Sequence, residues 1–424
     1  LGCKVIVTDH HLPGDVLPDA EAIVNPNCPG DRFPSKNLAG VGVVFYLMSL
    51  LRSALRERNW FTLPRNEPNL ARLLDLVALG TVADLVPLDD NNRILVRQGM
   101  DRIRQGLCSA GLLALLRLGK RDYRHLVASD LAFAVAPRLN AAGRMEDMGV
   151  GIRCLLTEDR EEAMSLAGEL DALNHDRRSR QEQMQQQALD QLDDLLTSLK
   201  SSELPAGLCL YDSSWHQGIV GLVASRIKDA VHRPVLAFAP ESTGSDVLKG
   251  SARSVKGLHI RDVLAHIDAQ HPHMMLAFGG HAMAAGLTLP AEQLGPFKHA
   301  LNESIEFILQ GETLNNEILT DGDLSAADIE LSFAEQLRRL GPWGQHFPEP
   351  LFEGRFVVEE QRVVGGSHLK MMLRPVDGHR AIDAIAFGCL PEDLPDADTV
   401  SLVYKLDVNH FRGHKTCQLM VEQI

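Results

Sequence analysis

Cysteine is scarce in this chain. Cys3, Cys28, Cys108, Cys154, Cys209, Cys389 and Cys417 are odd in number and form no Cys-x-x-Cys pair. That disfavours a disulfide framework or a structural zinc site, and it suits a reducing cytoplasm. Long apolar runs are missing as well: none reaches the roughly eighteen residues that a membrane-crossing helix needs. Positive charge is outweighed, with 42 Lys and Arg against 56 Asp and Glu and a formal net charge of −14. Such an excess of acid argues against nucleic-acid binding as a general property of the surface. It leaves room for one basic groove, and a carboxylate-rich active site needs metal ions before a phosphate can approach. Glycine is absent from Glu169 to Lys200, and no proline follows there until Pro205. Nothing in that stretch interrupts a helix.

What is present fits a globular protein of several domains. Hydrophobic residues make up 45% and charged residues 23% of 424 positions, enough for roughly two to four domains. Val5-Ile6-Val7-Thr8 is a β-branched run leading into Asp9-His10-His11 and then Leu12-Pro13-Gly14. An apolar run ended by turn residues predicts a strand buried on both faces of a parallel sheet, with its polar residues at the carboxyl edge where ligands bind. A carboxylate followed by two imidazoles suits Mn²⁺, Mg²⁺ or Zn²⁺, although a surface turn can also hold two histidines. Because Leu1 opens the chain inside this strand, a fragment lacking its N-terminal portion is expected.

Ala22 to Asn25 reads as a second strand stopped by Pro26. A helix is expected from Gly40 through Leu55, and another from Leu70 to Leu79, ended by Gly80. Asp84 follows a tight turn, as a helix cap or, paired with Asp9 and His10, as a metal ligand. In Pro137 to Met145, Arg138 and Arg144 flank small residues and Asn140. They suit either an anion site or a loop whose arginines pair with local acids. From Thr157 to Leu199 apolar residues recur at steps of three and four, which predicts a helix of roughly 60 Å connecting two domains.

A strand at Leu208 to Tyr211 restarts the fold, followed by Trp215-His216-Gln217-Gly218 and a helix through Ile227. Val235 to Phe238 and Leu248 to Ser254 are further strands, the latter delivering Arg253 and Ser254 to its end. Gly279-Gly280-His281 offers bare backbone N–H groups beside an imidazole. With Arg253 and Ser254 these are the parts of a phosphate pocket. The last part changes character: Phe352 to Val364, Leu369 to Leu373, Ala381 to Phe387, Ser401 to Leu406 and Lys415 to Val421 predict a small closed barrel of the oligonucleotide-binding (OB) sort. Lys370, Lys405, Arg412 and Lys415, with Tyr404 and Phe411, suit either a single-strand groove or solvated strand faces over core aromatics.

Taken in order, Val7 to His11, Gly80 to Asp84, Pro137 to Met145, Trp215 to Gly218, Arg253-Ser254 and Gly279 to His281 resemble the motifs of the bacterial RecJ exonucleases of the DHH phosphoesterase superfamily, along almost the whole chain. The resemblance implies an α/β protein with a partial parallel-sheet DHH domain (1–150), a long connector helix (151–205), an α/β DHHA1 substrate-binding domain (206–312) and an OB-fold barrel (313–424). It implies an exonuclease that degrades single-stranded DNA from the 5′ end, in recombination and repair, with Mn²⁺ or Mg²⁺ at a two-metal centre. His10 matches a metal ligand, His11 faces the scissile phosphate, Asp9 orients or co-ligates, and Asp84 is a further ligand. Arg138, Asn140, Arg144, His216, Gln217, Arg253, Ser254, Gly279, Gly280 and His281 match phosphate-binding positions. A monomer cooperating with single-strand-binding protein and a helicase is implied by the same likeness. The family places a further Asp-x-Asp motif upstream of Asp-His-His. Without it the chain as written is expected to bind metal poorly and to be weakly active.

Two other readings remain open. One is a related phosphodiesterase acting on short oligonucleotides or cyclic dinucleotides, against which the barrel argues. The other is a catalytically silent DNA-binding scaffold, against which the costly polar groups of Asp9, His10, His11 and Asp84 argue.

Overall fold

The structure, a computed structural model, describes residues 3–14, 16–145, 147–179, 204–242, 244–312, 314, 317–395, 397, 399–411 and 413–424, the side chains of 144, 145 and 411 excepted. The chain forms two compact units, one of Leu1–His175 with Leu319–Ile424, the other of Asp176–Ile318.

In the first unit β1 (Ile6–Thr8) and β2 (Ala22–Val24) pair in parallel, Ile6 opposite Ala22. The expectation of a strand buried on both faces is corrected here. The described sheet has only these two strands, and Ile6 is 63% exposed because no layer covers its outer face. Helices Gly40–Glu57, Leu74–Ala83, Asp90–Arg104, Ala110–Leu118, Ala136–Met145 and Gly149–Leu156 follow. Leu95, Val96, Gly99, Met100 and Ile103 form the buried stripe of Asp90–Arg104 at helical spacing. Leu74–Ala83 is apolar around most of its girth and is buried accordingly.

Gly80 does not end that helix, as the sequence suggested, but continues it to Ala83. Its role is close approach: a Cβ there would lie 2.7 Å from Val41 Cγ1. The Pro137 to Met145 motif is helical too, preceded by a π-helical turn at Leu131–Val135. Residues 160–179 are helical; the rest of the expected connector helix, 180–203, lies outside the described residues.

The barrel completes this unit. β8 (Phe352–Val364), β9 (His368–Pro375), β10 (Ile382–Phe387), β11 (Thr399–Phe411) and β12 (His414–Gln423) close in the order β10-β12-β11-β8-β9. Buried and half-buried residues alternate along β9, as one face fills the barrel. Tyr404 is fully buried there, its ring 5.5 Å from that of Phe356 in an edge-on contact, so it is core and does not line a groove. Arginines tie the helix Leu331–Leu340 to its neighbours: Arg97 donates to the carbonyls of Arg339 (2.6 Å) and Gly341 (2.8 Å), and Arg338 to those of His125 (3.1 Å) and, in the barrel, Val408 (3.0 Å).

The second unit holds a mixed sheet in the order β3-β4-β5-β7-β6, with β3 (Leu208–Tyr211), β4 (Val235–Pro240), β5 (Val247–Arg253), β6 (Ala277–Gly280) and β7 (Ala284–Pro290). Only β3 and β4 run parallel. β4 is apolar without interruption because both its faces are covered. Val235, Ala237 and Ala239 pack with the helix Val220–Val231, while Leu236 and Phe238 pack with Ile260–Gln270 and Leu294–Leu309.

Candidate metal centre

The β-branched residues of β1 end at Thr8, and the chain turns sharply at Asp9-His10-His11. Asp9 organises the turn. Its Oδ1 accepts the N–H groups of His10 (2.7 Å) and His11 (3.2 Å) and lies 2.8 Å from His11 Nδ1. The His11 ring, helped by the two backbone donors, holds the Asp9 carboxyl below the usual range. Asp9, His10 and His11 each present one ligand atom, all within 4.8 Å of one another.

Asp84 enters from the C-terminal end of Leu74–Ala83, with its Oδ2 3.2 Å from His10 Nε2. A helix C-terminus already concentrates negative charge. A carboxylate added there, beside His10, favours a cation. Hard oxygens with imidazole nitrogens are a donor set for Mn²⁺, Mg²⁺ or Zn²⁺, so the residues present fit a divalent ion. His10, Gly40, Gly80, Asp84 and Asn140 line a cavity of about 340 Å³ over this cluster. Gly40 is close enough that a Cβ would stand 3.5 Å from the His10 ring.

Arg138 lies apart from the cavity lining. Its Nε donates to Asp171 at 2.8 Å, and its guanidinium also bonds the Ala134 carbonyl. The acid it meets, Asp171, is brought in by the helix over 160–179. The side chain of Arg144 lies outside the described residues. In the barrel Lys370 pairs with Asp383 (3.4 Å), Lys405 with Glu422 (2.5 Å) and Lys415 with Glu335 (2.8 Å); Arg412 lies outside the described residues.

In the second unit the guanidinium of Arg253 donates to Ser251 Oγ (2.9 Å) and the Ala252 carbonyl (2.8 Å). It rests against Gly221, where a Cβ would be 2.9 Å from Arg253 Nη2. Burial pushes it below its ordinary range, yet a guanidinium keeps its charge. Gly221 follows the exposed His216-Gln217-Gly218 turn, in which His216 Nδ1 accepts the Gly218 N–H at 3.0 Å. The Ser254 hydroxyl is buried and donates to the Leu258 carbonyl at 2.7 Å. Gly279 and Gly280 belong to the end of β6 and pair with Gly286 and Ala285. His281 follows, exposed, its N–H bonded to the Ala284 carbonyl at 2.8 Å.

Two residues at this centre escaped the sequence reading. Asn25 and Asn27 donate to the carbonyls of His11 and His10. The available signal was a pair of carboxamides around Pro26, where an apolar strand stops.

Known families match along the chain: the DHH family N-terminal domain over 1–81, the DHHA1 domain over 205–306 and the RecJ OB domain over 320–423. Fold and site thus define a DHH-type α/β protein carrying an oligonucleotide-binding barrel. The chain is 54% identical over 428 residues to the single-stranded-DNA-specific exonuclease RecJ of Salmonella typhimurium, covering all of this chain and 73% of that protein. Crystal structures of RecJ from Thermus thermophilus superpose over the whole of this chain. The Mn²⁺ complex does so with a TM-score of 0.72 at 30% identity, and the Mg²⁺ complex with 0.69 at 29%; the chain spans 58% and 60% of those chains. It belongs to the RecJ family of single-stranded-DNA-specific exonucleases.

Proposed function

We propose that the protein is a divalent-metal-dependent exonuclease that degrades single-stranded DNA in the 5′ to 3′ direction, in recombination and repair. The observation that carries this reading is the cluster of Asp9, His10 and His11, with Asp84 3.2 Å from His10 where these two residues line a cavity. The names of the relatives, and the Mn²⁺ and Mg²⁺ bound in the Thermus structures, support it.

In this reading His10, Asp9 and Asp84 hold the ion. When bound, it supplies Lewis-acid polarisation of the phosphate and a more acidic water. Asp9 keeps the His11 ring oriented, and His11, exposed beside the cluster, donates to the scissile phosphate. Asn140 lines the cavity and offers its carboxamide to the same phosphate. Arg253, His216, Gln217, Gly279, Gly280 and His281 bind further phosphates, including one at the 5′ end. Ser254 and Arg138 spend donors inside the fold, so they shape the site more than they touch DNA.

The barrel grips the strand farther from the cut through Lys370, Lys405, Lys415 and Arg412, each described lysine exchanging its carboxylate partner for a phosphate. Because the barrel suits a polymer, short oligonucleotides and cyclic dinucleotides are the weaker substrates. A cytoplasmic monomer working with single-strand-binding protein and a helicase belongs to the same reading.

The test is digestion of single-stranded DNA labelled at one end or the other, with Mn²⁺. It is run on the chain alone and on the chain extended upstream by an Asp-x-Asp segment, beside His10→Ala in each. Short products released from the 5′ end, lost in the variant and absent on blunt duplex, are expected from the extended form. DNA binding without cleavage in both forms would instead indicate a silent scaffold.

A further inference from the structure

Asn25 and Asn27 flank Pro26 where β2 ends, and no role above uses them. Asn25 is 4% exposed. Its Nδ2 donates to the His11 carbonyl at 2.9 Å, and its Oδ1 accepts the Asn27 N–H at 2.9 Å. Asn27 Nδ2 donates to the His10 carbonyl at 2.7 Å and to that of Lys36 at 3.1 Å. These carbonyls lie beyond β1, where no strand ladder satisfies them, and main-chain groups withdrawn from water must find partners. A carboxamide carries two donors in a fixed plane, so one side chain can hold two carbonyls at once.

The loop that bears Asn27 is itself anchored. Lys36 Nζ donates to the Pro26 carbonyl at 2.6 Å. Ser35 Oγ and Asn37 Nδ2 donate to Asp89 Oδ2, at 2.7 and 3.3 Å. Asp89 caps the helix Asp90–Arg104 by accepting the Asn92 N–H at 2.9 Å, and the fully buried Asn92 returns a bond to the Asn37 carbonyl at 2.7 Å. Hydrogen bonds and short spans of main chain thus link the start of a rigid helix to the backbone of His10.

We propose that Asn25 and Asn27 are positioning residues that fix the main chain of His10 and His11 and thereby aim the His10 imidazole at a divalent cation and the His11 imidazole at the phosphate beside it. The proposal rests on the metal reading of the Asp9–His11 turn. Partners that orient metal ligands typically cost about 10–100-fold in metal affinity when removed.

In the upstream-extended chain, Asn27→Ala is expected to raise the Mn²⁺ dissociation constant, read from the electron paramagnetic resonance of free Mn²⁺, by about tenfold. Its kcat on single-stranded DNA falls at low Mn²⁺ and returns at excess Mn²⁺, with KM for DNA unchanged. Asn27→Ser keeps one donor, is milder on folding, and lies between parent and alanine. Because bound metal also stabilises a fold by mass action, the variant's circular dichroism and melting are compared with the parent's without metal, and a raised dissociation constant in a variant that is folded without metal separates positioning from general destabilisation. An Mn²⁺ affinity equal to the parent's in a folded variant overturns the proposal, as does an activity loss that excess Mn²⁺ leaves in place. A parent that binds no Mn²⁺ removes the metal reading and this role with it. A parent that binds while the variants match it removes only this role.

Discussion

Glu349 lies beside the junction of barrel and helices, in a cleft it lines with Trp343, Arg338 and Lys405. Burial pushes its carboxyl above the ordinary range, Asp407 and Glu422 add to the rise, and Lys405 and Arg338 oppose it. An acid whose folded pKa is raised favours its neutral form in the fold. The unfolded chain therefore releases its proton at lower pH. Stability falls as pH rises from the ordinary carboxylate range through the raised value, and the loss then persists. Glu349→Gln removes that dependence. Its thermal midpoint is expected to match the parent's near pH 4 and to exceed it at pH 8. A midpoint that stays below the parent's at pH 8 would show that the carboxylate is compensated by its cations. The same burial logic keeps the thiols quiet, with Cys209 pushed up to about 12 and Cys154 and Cys417 to about 11.

The helices Leu74–Ala83 and Asp90–Arg104 meet through a glycine. A Cβ on Gly99 would lie 2.1 Å from the Leu74 carbonyl oxygen and 2.5 Å from Ala78 Cβ, an obstruction made largely of backbone that no rotamer relieves. Glycine inside a helix ordinarily costs about 0.5–1 kcal/mol relative to alanine. Here close approach outweighs that cost. Gly99→Ala is expected to destabilise the unit by about 1–3 kcal/mol through overpacking, read as a lowered urea midpoint with an unchanged slope. A raised midpoint would mean that the helices separate freely. The displacement would also reach function, because Asp84 stands at the end of one of these helices and Asp89 at the start of the other.

At the scale of the molecule, the cores and the metal cluster are separate. The helical core is built on residues such as Val96, Leu112, Leu115 and Leu131, the barrel on Phe356, Tyr404 and Leu419, and the second unit on Phe238, Leu264 and Phe297. None depends on an ion for its packing, so removing metal with a chelator is expected to end cleavage without unfolding the protein. Binding shifts stability by mass action, about 2.7 kcal/mol when free ligand is 100 times its dissociation constant. Because Asp9, His10 and Asp84 all lie in the unit of Leu1–His175 with Leu319–Ile424, Mn²⁺ is expected to raise the calorimetric transition of that unit alone. An equal rise in the transition of Asp176–Ile318 would place a second metal site there.

Local pattern carried much of this protein. A β-branched run ending in Asp-His-His, five alternating strands with β8 at the bounds expected for it, and the order of the motifs along the chain were legible because strand period, turn residues and caps act between near neighbours. What depended on distant partners was not. Gly80 read as a helix stop because glycine often is one, whereas the approach of Val41 makes it a contact. Tyr404 suited either a groove or the core by sequence, and closure of the barrel turns it inward. For Arg138, Lys370, Lys405 and Lys415 the sequence left anion binding open beside blander roles, and it could not name the partners Asp171, Asp383, Glu422 and Glu335 that folding brings beside them. The 3.2 Å approach of Asp84 to His10 and the hold of Asn25 and Asn27 on the Asp-His-His turn were likewise decided only by tertiary structure. Residue order sets which groups exist, whereas packing of helices and sheets sets which of them meet.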